Sequence, residues 1–387
     1  MHKDKFVFSQ LVSFLDRNKF NYIVRKYDGD KYVKHFTCWN QLLALIFGQL
    51  SNRESLRDLV VALEAHHSKC YHLGMGRNVS KSSLSRANQD RDYHIFEEYA
   101  YFLVREAQQK RKIDIFKLEG NVYAFDSTTI DLCLAVFQWA KFRKRKGGVK
   151  VHVLYDVETQ IPTFFHITEA SVHDSKAMTE IPYESASYYI FDRAYNNFRM
   201  LYKIHQIESF FVVRAKKNLQ YKVVKWKRRL PENVLSDMTI ELTGFYPKQY
   251  YPGRIRMVRY WDKDQGREFV FLTNASHISA LQVAELYRNR WQVELFFKWL
   301  KQHLKIKKFW GTTENAVRIQ IYAAICTYCL VATVQNDMKL DRSTYEVLQI
   351  LSISLTDKTN LRELFDKTKF QNDKERFGLN GPGLFDF

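Results

Sequence analysis

The stretch Asn121-Val122-Tyr123-Ala124-Phe125-Asp126-Ser127-Thr128-Thr129 is where the chain stops repeating like a helix and begins to repeat like a strand. Upstream, to about residue 117, apolar residues return at helical spacing: Phe8, Leu11, Val12, Phe14 and Leu15, a strongly apolar run over 39–50, then Leu56, Leu59, Val60 and Leu63. Ser51-Asn52-Arg53-Glu54 reads as a capping box, so residues 39–65 are expected to hold two helices joined by a tight turn. Ser80-Lys81-Ser82-Ser83-Leu84-Ser85-Arg86 joins an N-cap candidate to hydroxyl and basic side chains; a plain capped surface helix and a helix suited to phosphate and groove contact are equally good readings. A further helix is expected over 93–110.

Downstream, runs rich in β-branched and aromatic residues at 149–155, 163–168, 187–191 and 210–213 are joined by short helical stretches at 174–180 and 198–205. Three strands, helix, strand, helix, strand is the order of an α/β sheet of mixed direction. Residues 215–277 break the alternation with strand-like runs at 221–224, 238–242, 256–261 and 268–272 and no convincing helix, which predicts a β-rich insertion. Helix returns over 280–305 and 315–330.

Composition narrows the partners. The 387 residues carry 60 Lys+Arg against 42 Asp+Glu, a formal charge of +18, and an excess of that size calls for a polyanion, either nucleic acid or an anionic membrane surface. Membrane insertion is not expected, because residues 319–336 carry Gln320, Thr327, Thr333 and Gln335 and read as a buried helix, and the N-terminus lacks the apolar run of a signal peptide. The five cysteines are scattered and imply no disulfide framework. Cys326 and Cys329 read as core residues; His66, His67, Cys70 and His72 read as a solvated loop rather than a metal site.

Asp126 and Asp192 each follow an apolar strand, and carboxylates at the carboxyl ends of sheet strands face the crevice where α/β folds bind ligands. On these two residues alone, a role in starting a turn is the better reading. In a continuous helix over 280–305, at about 100° per residue, Tyr287, Arg290, Glu294 and Lys301 share one face. Lys298 and Lys305 extend that face into a basic strip, while Leu286, Val293, Phe297, Leu300 and Leu304 bury the adjacent side. One acid in a row of cations is more than a Glu294–Lys298 surface pair requires.

The spacing Tyr287-x2-Arg290-x3-Glu294-x6-Lys301 resembles the Tyr-Arg-Glu-Lys signature of insertion-sequence-four-type bacterial DDE transposases. Phe125-Asp126-Ser127-Thr128-Thr129, Phe191-Asp192-Arg193-Ala194-Tyr195 and Arg290-Trp291-Gln292-Val293-Glu294 look like that family's three acidic blocks, with Ala194 where many relatives carry Gly. The first sixty-odd residues resemble the helical N-terminal domain of a subgroup.

The resemblance implies a ribonuclease H-like mixed-sheet catalytic core over 118–330, interrupted by the insertion at about 215–277. A helical DNA-binding region over 1–117 precedes it and a C-terminal helical region over 331–387 follows. Asp126, Asp192 and Glu294 would be the catalytic acids and would hold two Mg²⁺ (or Mn²⁺) ions. The expected function is cleavage at terminal inverted repeats and strand transfer; a structure-selective nuclease or a decayed DNA-binding copy on the same fold are the alternatives. Tyr287, Arg290, Lys298, Lys301, Lys305 and Arg193 are expected to contact DNA, together with Lys144, Arg145 and Lys146 in the basic connection between the first two strands and Lys225 and Lys227 in the insertion. Trp226 or Trp261 is expected to hold a flipped base. Trp291 is expected in the core, and Asp174 as the N-cap of a short helix. The implied partners are double-stranded DNA, terminal repeats and target alike, and a second copy in a synaptic complex, with no membrane and a cytoplasmic, nucleoid-associated location.

Overall fold

The computed structural model describes residues 5–76, 79–110, 115–133, 136–137, 139–143, 146–303, 309–342 and 344–366. The chain opens with helices α1 (Val7–Val12), α2 (Arg17–Lys26), α3 (Cys38–Leu50), α4 (Leu56–Ala65), α5 (His67–Cys70), α6 (Lys81–Asp90) and α7 (His94–Lys110). Strands β1 (Val122–Leu132), β2 (Lys141–Arg143), β3 (Lys146–Asp156) and β4 (Ile161–Glu169) follow, then α8 (Asp174–Ala177), β5 (Tyr188–Phe191), α9 (Phe198–Gln206) and β6 (Phe210–Arg214). The insertion supplies β7 (Tyr221–Trp226), β8 (Val234–Leu242), α10 (Phe245–Tyr250), β9 (Ile255–Asp262) and β10 (Arg267–Thr273). Helices α11 (Ala280–Arg288), α12 (Trp291–His303), α13 (Glu314–Asp337), α14 (Thr344–Ser354) and α15 (Leu361–Phe365) complete it. Residues 1–100, 303–311 and 315–387 form one compact unit, and 101–302 with 312–314 a second.

In the helical unit, side chains fix several helix starts by accepting orphan amides: Asp16 from Lys19, Thr37 from Asn40 and Ser80 from Ser83. The cap of α4 is Ser55, which accepts from the Asp58 amide, while Asp58 accepts from the Glu54 amide at 2.9 Å. The capping motif therefore starts four residues later than Ser51-Asn52-Arg53-Glu54 suggests. Ser51 instead closes α3, its hydroxyl donating to the Phe47 carbonyl at 2.6 Å, and Asn52 takes a left-handed φ of 60°. Phe20 packs on Trp39, Phe96 and Tyr99 with centroids 4.9–6.2 Å apart, tying α2, α3 and α7 together. Helix α13 is long and apolar enough to cross a membrane by length and composition, and it is buried as a core helix, with Cys326 and Cys329 inside. The His66–His72 stretch is not a plain loop: α5 forms within it and buries Cys70, whose thiol faces the Leu63 carbonyl at 3.6 Å.

The second unit is built on one mixed sheet. Its order runs β3-β1-β5-β6-β10-β9-β8-β7, with β4 along the other side of β3 and β2 at its start. Strands β1, β3 and β4 are antiparallel, β5 and β6 run parallel to β1, and β6 to β7 form an antiparallel series through β10, β9 and β8. The insertion is thus no separate body: Leu272 of β10 pairs with Val213 of β6 and carries the sheet onward. It also contains α10, a helix the sequence reading did not expect. Phe125, Phe191, Tyr195, Phe211 and Val213 share a core with Leu201 and Ile204 of α9.

The helix expected over 280–305 is two helices. The Asn289 amide side chain donates to the Glu285 carbonyl at 3.0 Å and accepts from Gln292 at 2.9 Å, and the backbone amides of Arg290, Gln292 and Val293 bond three residues back. Tighter i→i+3 bonding at this point ends α11 and restarts the chain as α12.

Gly120, just before β1, has φ +107°, and a Cβ there would lie 1.7 Å from the Ala186 carbonyl oxygen. Gly120→Ala is expected to cost about 2 kcal/mol or more through a strained backbone and a contact that must be relieved by moving main chain. Urea unfolding of the variant would test this, and an unchanged midpoint would refute it.

Candidate active site

Parallel pairing of β1 with β5 ends at Phe125 opposite Phe191, so Asp126 and Asp192 are the first residues past the paired register, side by side where the two adjacent strands part. Asp192 is followed by a single 3₁₀ turn, Arg193–Tyr195. Asp126, by contrast, does not end its strand. β1 continues to Leu132 against β3, because the antiparallel partner outlasts the parallel one.

Tyr287 of α11 and Arg290 of the third block reach these acids. The Tyr287 hydroxyl donates to Asp192 Oδ1 at 2.9 Å. The Arg290 guanidinium, at the break between α11 and α12, donates to Asp126 Oδ2 at 2.9 Å and to Glu294 Oε1 at 2.5 Å. Tyr287 and Arg290 also face each other, with the guanidinium carbon 5.6 Å from the ring centroid. Asp126, Asp192, Glu294, Tyr287 and Arg290 therefore form one constellation, two hydrogen-bonded groups joined by the contact of Arg290 with the Tyr287 ring, in which a cation stands between two of the three acids.

Burial pushes the Asp126 carboxyl up to about 6; Arg290 and the Ser127 amide oppose this, while Glu294 and Asp192 add to it. Burial alone would raise Asp192 too, but the Arg193 amide, the Tyr287 hydroxyl, Arg290 and Arg214 outweigh it and hold that carboxyl below its usual range. Tyr287 is pushed up to about 12 by burial and by Asp192, so its hydroxyl stays a donor. The group consists of hard oxygen donors short of positive charge, a chemistry that fits a divalent ion. Among the described residues no three His, Cys, Asp or Glu side chains already stand close enough to enclose one.

A cleft of about 710 Å³ opens beside Asp192, lined by Arg214, Arg267, Phe269, Tyr287, Arg290 and Glu294 among others. Trp291 also lines it and is 49% exposed, so the expected core role is corrected: the helix break makes it the first residue of α12 and turns it outward. Arg214 was missed by the sequence reading. It sits at the carboxyl end of β6, the next parallel strand, so the rule that marks Asp126 and Asp192 marks it as well. Its guanidinium lies 4.8 Å from the Phe269 ring centroid.

A second missed group lies behind Asp126. Asp174 accepts from the Ser127 hydroxyl at 2.7 Å and pairs with Lys150 at 3.0 Å, and Lys150 also donates to the Val172 carbonyl at 2.7 Å. The N-cap of α8 is His173, not Asp174; the imidazole already accepts the Ser175 amide, which leaves Asp174 free to turn toward β1.

The expected DNA contacts are dispersed. Lys301 donates to the Thr129 carbonyl at 2.9 Å and so holds α12 to β1, while Lys298 and Arg193 are exposed. Lys225 and Trp226 are exposed on β7, five strands from β5 and roughly 24 Å away along the sheet. Lys227 pairs with Asp237 at 2.9 Å, and Trp261 is 41% exposed on β9. Lys144, Arg145 and Lys305 lie outside the described residues, as does the side chain of Lys146.

A family model described as a transposase DDE domain matches residues 117–330, more than half of the chain, and one described as a domain of unknown function, DUF4372, matches residues 3–76. The chain is 34% identical to y4zB of Sinorhizobium fredii, named as a transposase, over 70% of its own length and 75% of the relative's. It is 28% identical to a protein of Geobacillus stearothermophilus named as the transposase of insertion sequence element IS5377, covering 67% of this chain and 68% of that one. A Synechocystis protein named for element IS4SA is 26% identical over 75% of this chain and 83% of its own.

Proposed function

The chain belongs to the DDE transposases, enzymes that act on DNA, and on that premise we propose that Asp126, Asp192 and Glu294 are the acids with which it cuts and joins DNA strands. The observation that carries the assignment is the constellation in which Asp126 and Asp192 emerge side by side and Arg290 and Tyr287 tie them to the third block and α11. The order β4-β3-β1-β5-β6, antiparallel on one side of β1 and parallel on the other, supports a ribonuclease H-like core.

The three acids would hold two Mg²⁺ (or Mn²⁺) ions, which supply polarisation of the attacking oxygen and stabilisation of the leaving one. Tyr287 keeps the Asp192 carboxylate oriented through its hydroxyl. Arg290 offers a planar guanidinium that bonds carboxylates in the free protein and suits a DNA phosphate equally well. Arg214, beside Asp192 in the cleft, is a second phosphate contact, with Lys298 and Arg193 further out. Lys225 and Lys227, with Trp226 or Trp261 holding a displaced base, would grip DNA along the insertion. The substrates are the terminal inverted repeats of the element and a target duplex, held by two copies of the chain on the bacterial nucleoid, with the helical N-terminal region contributing to DNA binding.

The test is a nicking and joining assay. Purified protein with Mg²⁺ is expected to nick a duplex carrying the repeats that flank its gene, and to transfer a pre-cut end with a free 3′-hydroxyl into plasmid DNA. Nicking without transfer would make it a nuclease instead, and no cleavage with either Mg²⁺ or Mn²⁺ would remove the proposal.

A further inference from the structure

The helical unit carries a helix whose buried and exposed faces have different chemistry. In α6 the inner face is Leu84, Ala87 and Asn88, all buried against α3 and α4. The outer face is Ser82, Ser85, Arg86 and Gln89, all exposed at the i, i+3, i+4, i+7 spacing of one helical stripe, with exposed Lys81 at its start. Asp90, the sole acid of the helix, stands at its last position.

Three features set this stripe apart from an ordinary solvated face. The Ser82 hydroxyl lies 3.0 Å from that of the N-cap Ser80, but serine is a weaker helix former than the Ala, Glu, Lys or Gln that would stabilise an exposed position at no cost to packing, so Ser85, beyond the cap, is not explained by helix stability. The helix is held against rotation by polar contacts: Gln41 of α3 donates to Asn88 at 2.7 Å inside the unit, and Arg91 donates to Gln41 at 2.8 Å and to the Phe36 carbonyl. The Asn315 amide of α13 donates to the carbonyls of Asn88, Gln89 and Arg91 at 2.6–3.2 Å. A buried polar pair fixes one register where an apolar contact would tolerate several. Finally, Lys81 and Arg86 have no ion-pair partner among the described residues, in a chain of net charge +18.

We infer that α6 is a base-reading helix, which lays Ser82, Ser85, Arg86 and Gln89 along the major groove of double-stranded DNA while Lys81 meets the phosphates at its edge. The groove admits an α-helix. Arginine pairs with guanine and glutamine with adenine through two bonds each, and serine accepts or donates to either. This rests on the reading of the chain as a DNA transposase and adds which surface chooses the sequence.

The experiment selects duplexes from a randomised pool with the full-length wild-type protein, then compares its affinity for the enriched duplex and for a scrambled one. The double variant Arg86→Ala/Gln89→Ala is expected to lose about tenfold or more of that preference, with an unchanged thermal midpoint because both residues are exposed. Arg86→Lys keeps the charge and loses the two-bond geometry, so it is expected to lose preference at guanine positions while its salt dependence stays that of the wild type. Wild-type preference in both variants would overturn the inference, as would a wild-type protein that nicks DNA but enriches no sequence. A wild-type protein that binds no DNA at all would instead remove the function proposed above.

Discussion

Glu294→Gln is expected to reduce strand nicking by roughly 10²–10⁴-fold, since ions at such a site supply several kcal/mol of charge stabilisation and each 1.4 kcal/mol is about tenfold in rate. The substitution keeps the shape and removes one negative charge. In the free protein Glu294 is 55% exposed and linked to Asp126 only through Arg290, so its loss leaves the sheet and the core intact. Binding to repeat DNA is therefore expected to survive. Asp126→Asn and Asp192→Asn should behave alike, with Asp126→Asn also leaving Arg290 to Glu294 as its remaining ion-pair partner. A nicking assay at saturating Mg²⁺ decides the matter: a Glu294→Gln enzyme that cuts at the wild-type rate would leave the third block without a catalytic role.

The largest expected loss of stability lies elsewhere, in the insertion. Arg256 and Asp237 form a two-bond ion pair, 2.8 Å for each bond, with side chains only 8% and 5% exposed. The other nitrogen of the same guanidinium donates to the Ala275 and Ile278 carbonyls at 3.0 and 2.7 Å, so one side chain ties β8 and β9 to the segment that leads into α11. Arg256→Ala would strand Asp237 with Lys227 alone and orphan two carbonyls, a change expected to cost about 3–5 kcal/mol. Replacing both partners with apolar residues of similar volume should cost far less. Burial alone would raise the Asp237 carboxyl, but Arg256 and Lys227 outweigh it and hold it below its usual range. The pair's contribution is then fully present above the unfolded carboxyl value of about 3.9 and is lost as pH falls through the lower folded value. Urea unfolding at pH 7 and in that acid window should show the gap between wild type and Arg256→Ala narrowing. A gap that stays constant would refute the electrostatic account.

Strands β1, β3, β4, β5 and β6 were legible because each holds a β-branched or aromatic run, whereas β2 falls in what reads as a basic connection, and the meeting of Asp126 with Asp192 was implied by the family resemblance rather than by those runs. The break at Asn289 was not legible. Leu286 and Val293 are both buried, so the apolar period passes through the break without a missed beat, and what ends the helix is a local competition by the Asn289 side chain for the Glu285 carbonyl. For the same reason Trp291 was misplaced. The hydrogen bonds of Arg290 to an acid 164 positions away in β1, and the attachment of β10 to β6, depend on partners that no local pattern names. Arg214 could have been found by applying the strand-end rule a third time. The cap of α4 was missed because Ser51 and Ser55 both precede an acid by three residues, and only the buried position of Ser51 decides between them.

Because β10 is hydrogen-bonded to β6, the insertion seals what would otherwise be a bare margin of the catalytic sheet, with Val212 and Val213 directly behind it. Trimming 215–277 in search of a minimal enzyme would uncover a short row of unsatisfied amides and carbonyls on an apolar strand, an invitation to pair with another molecule. A stripped-down version of this chain should therefore come out of cells as aggregate, and any shortened design would need a replacement strand or a blocking charge at that edge.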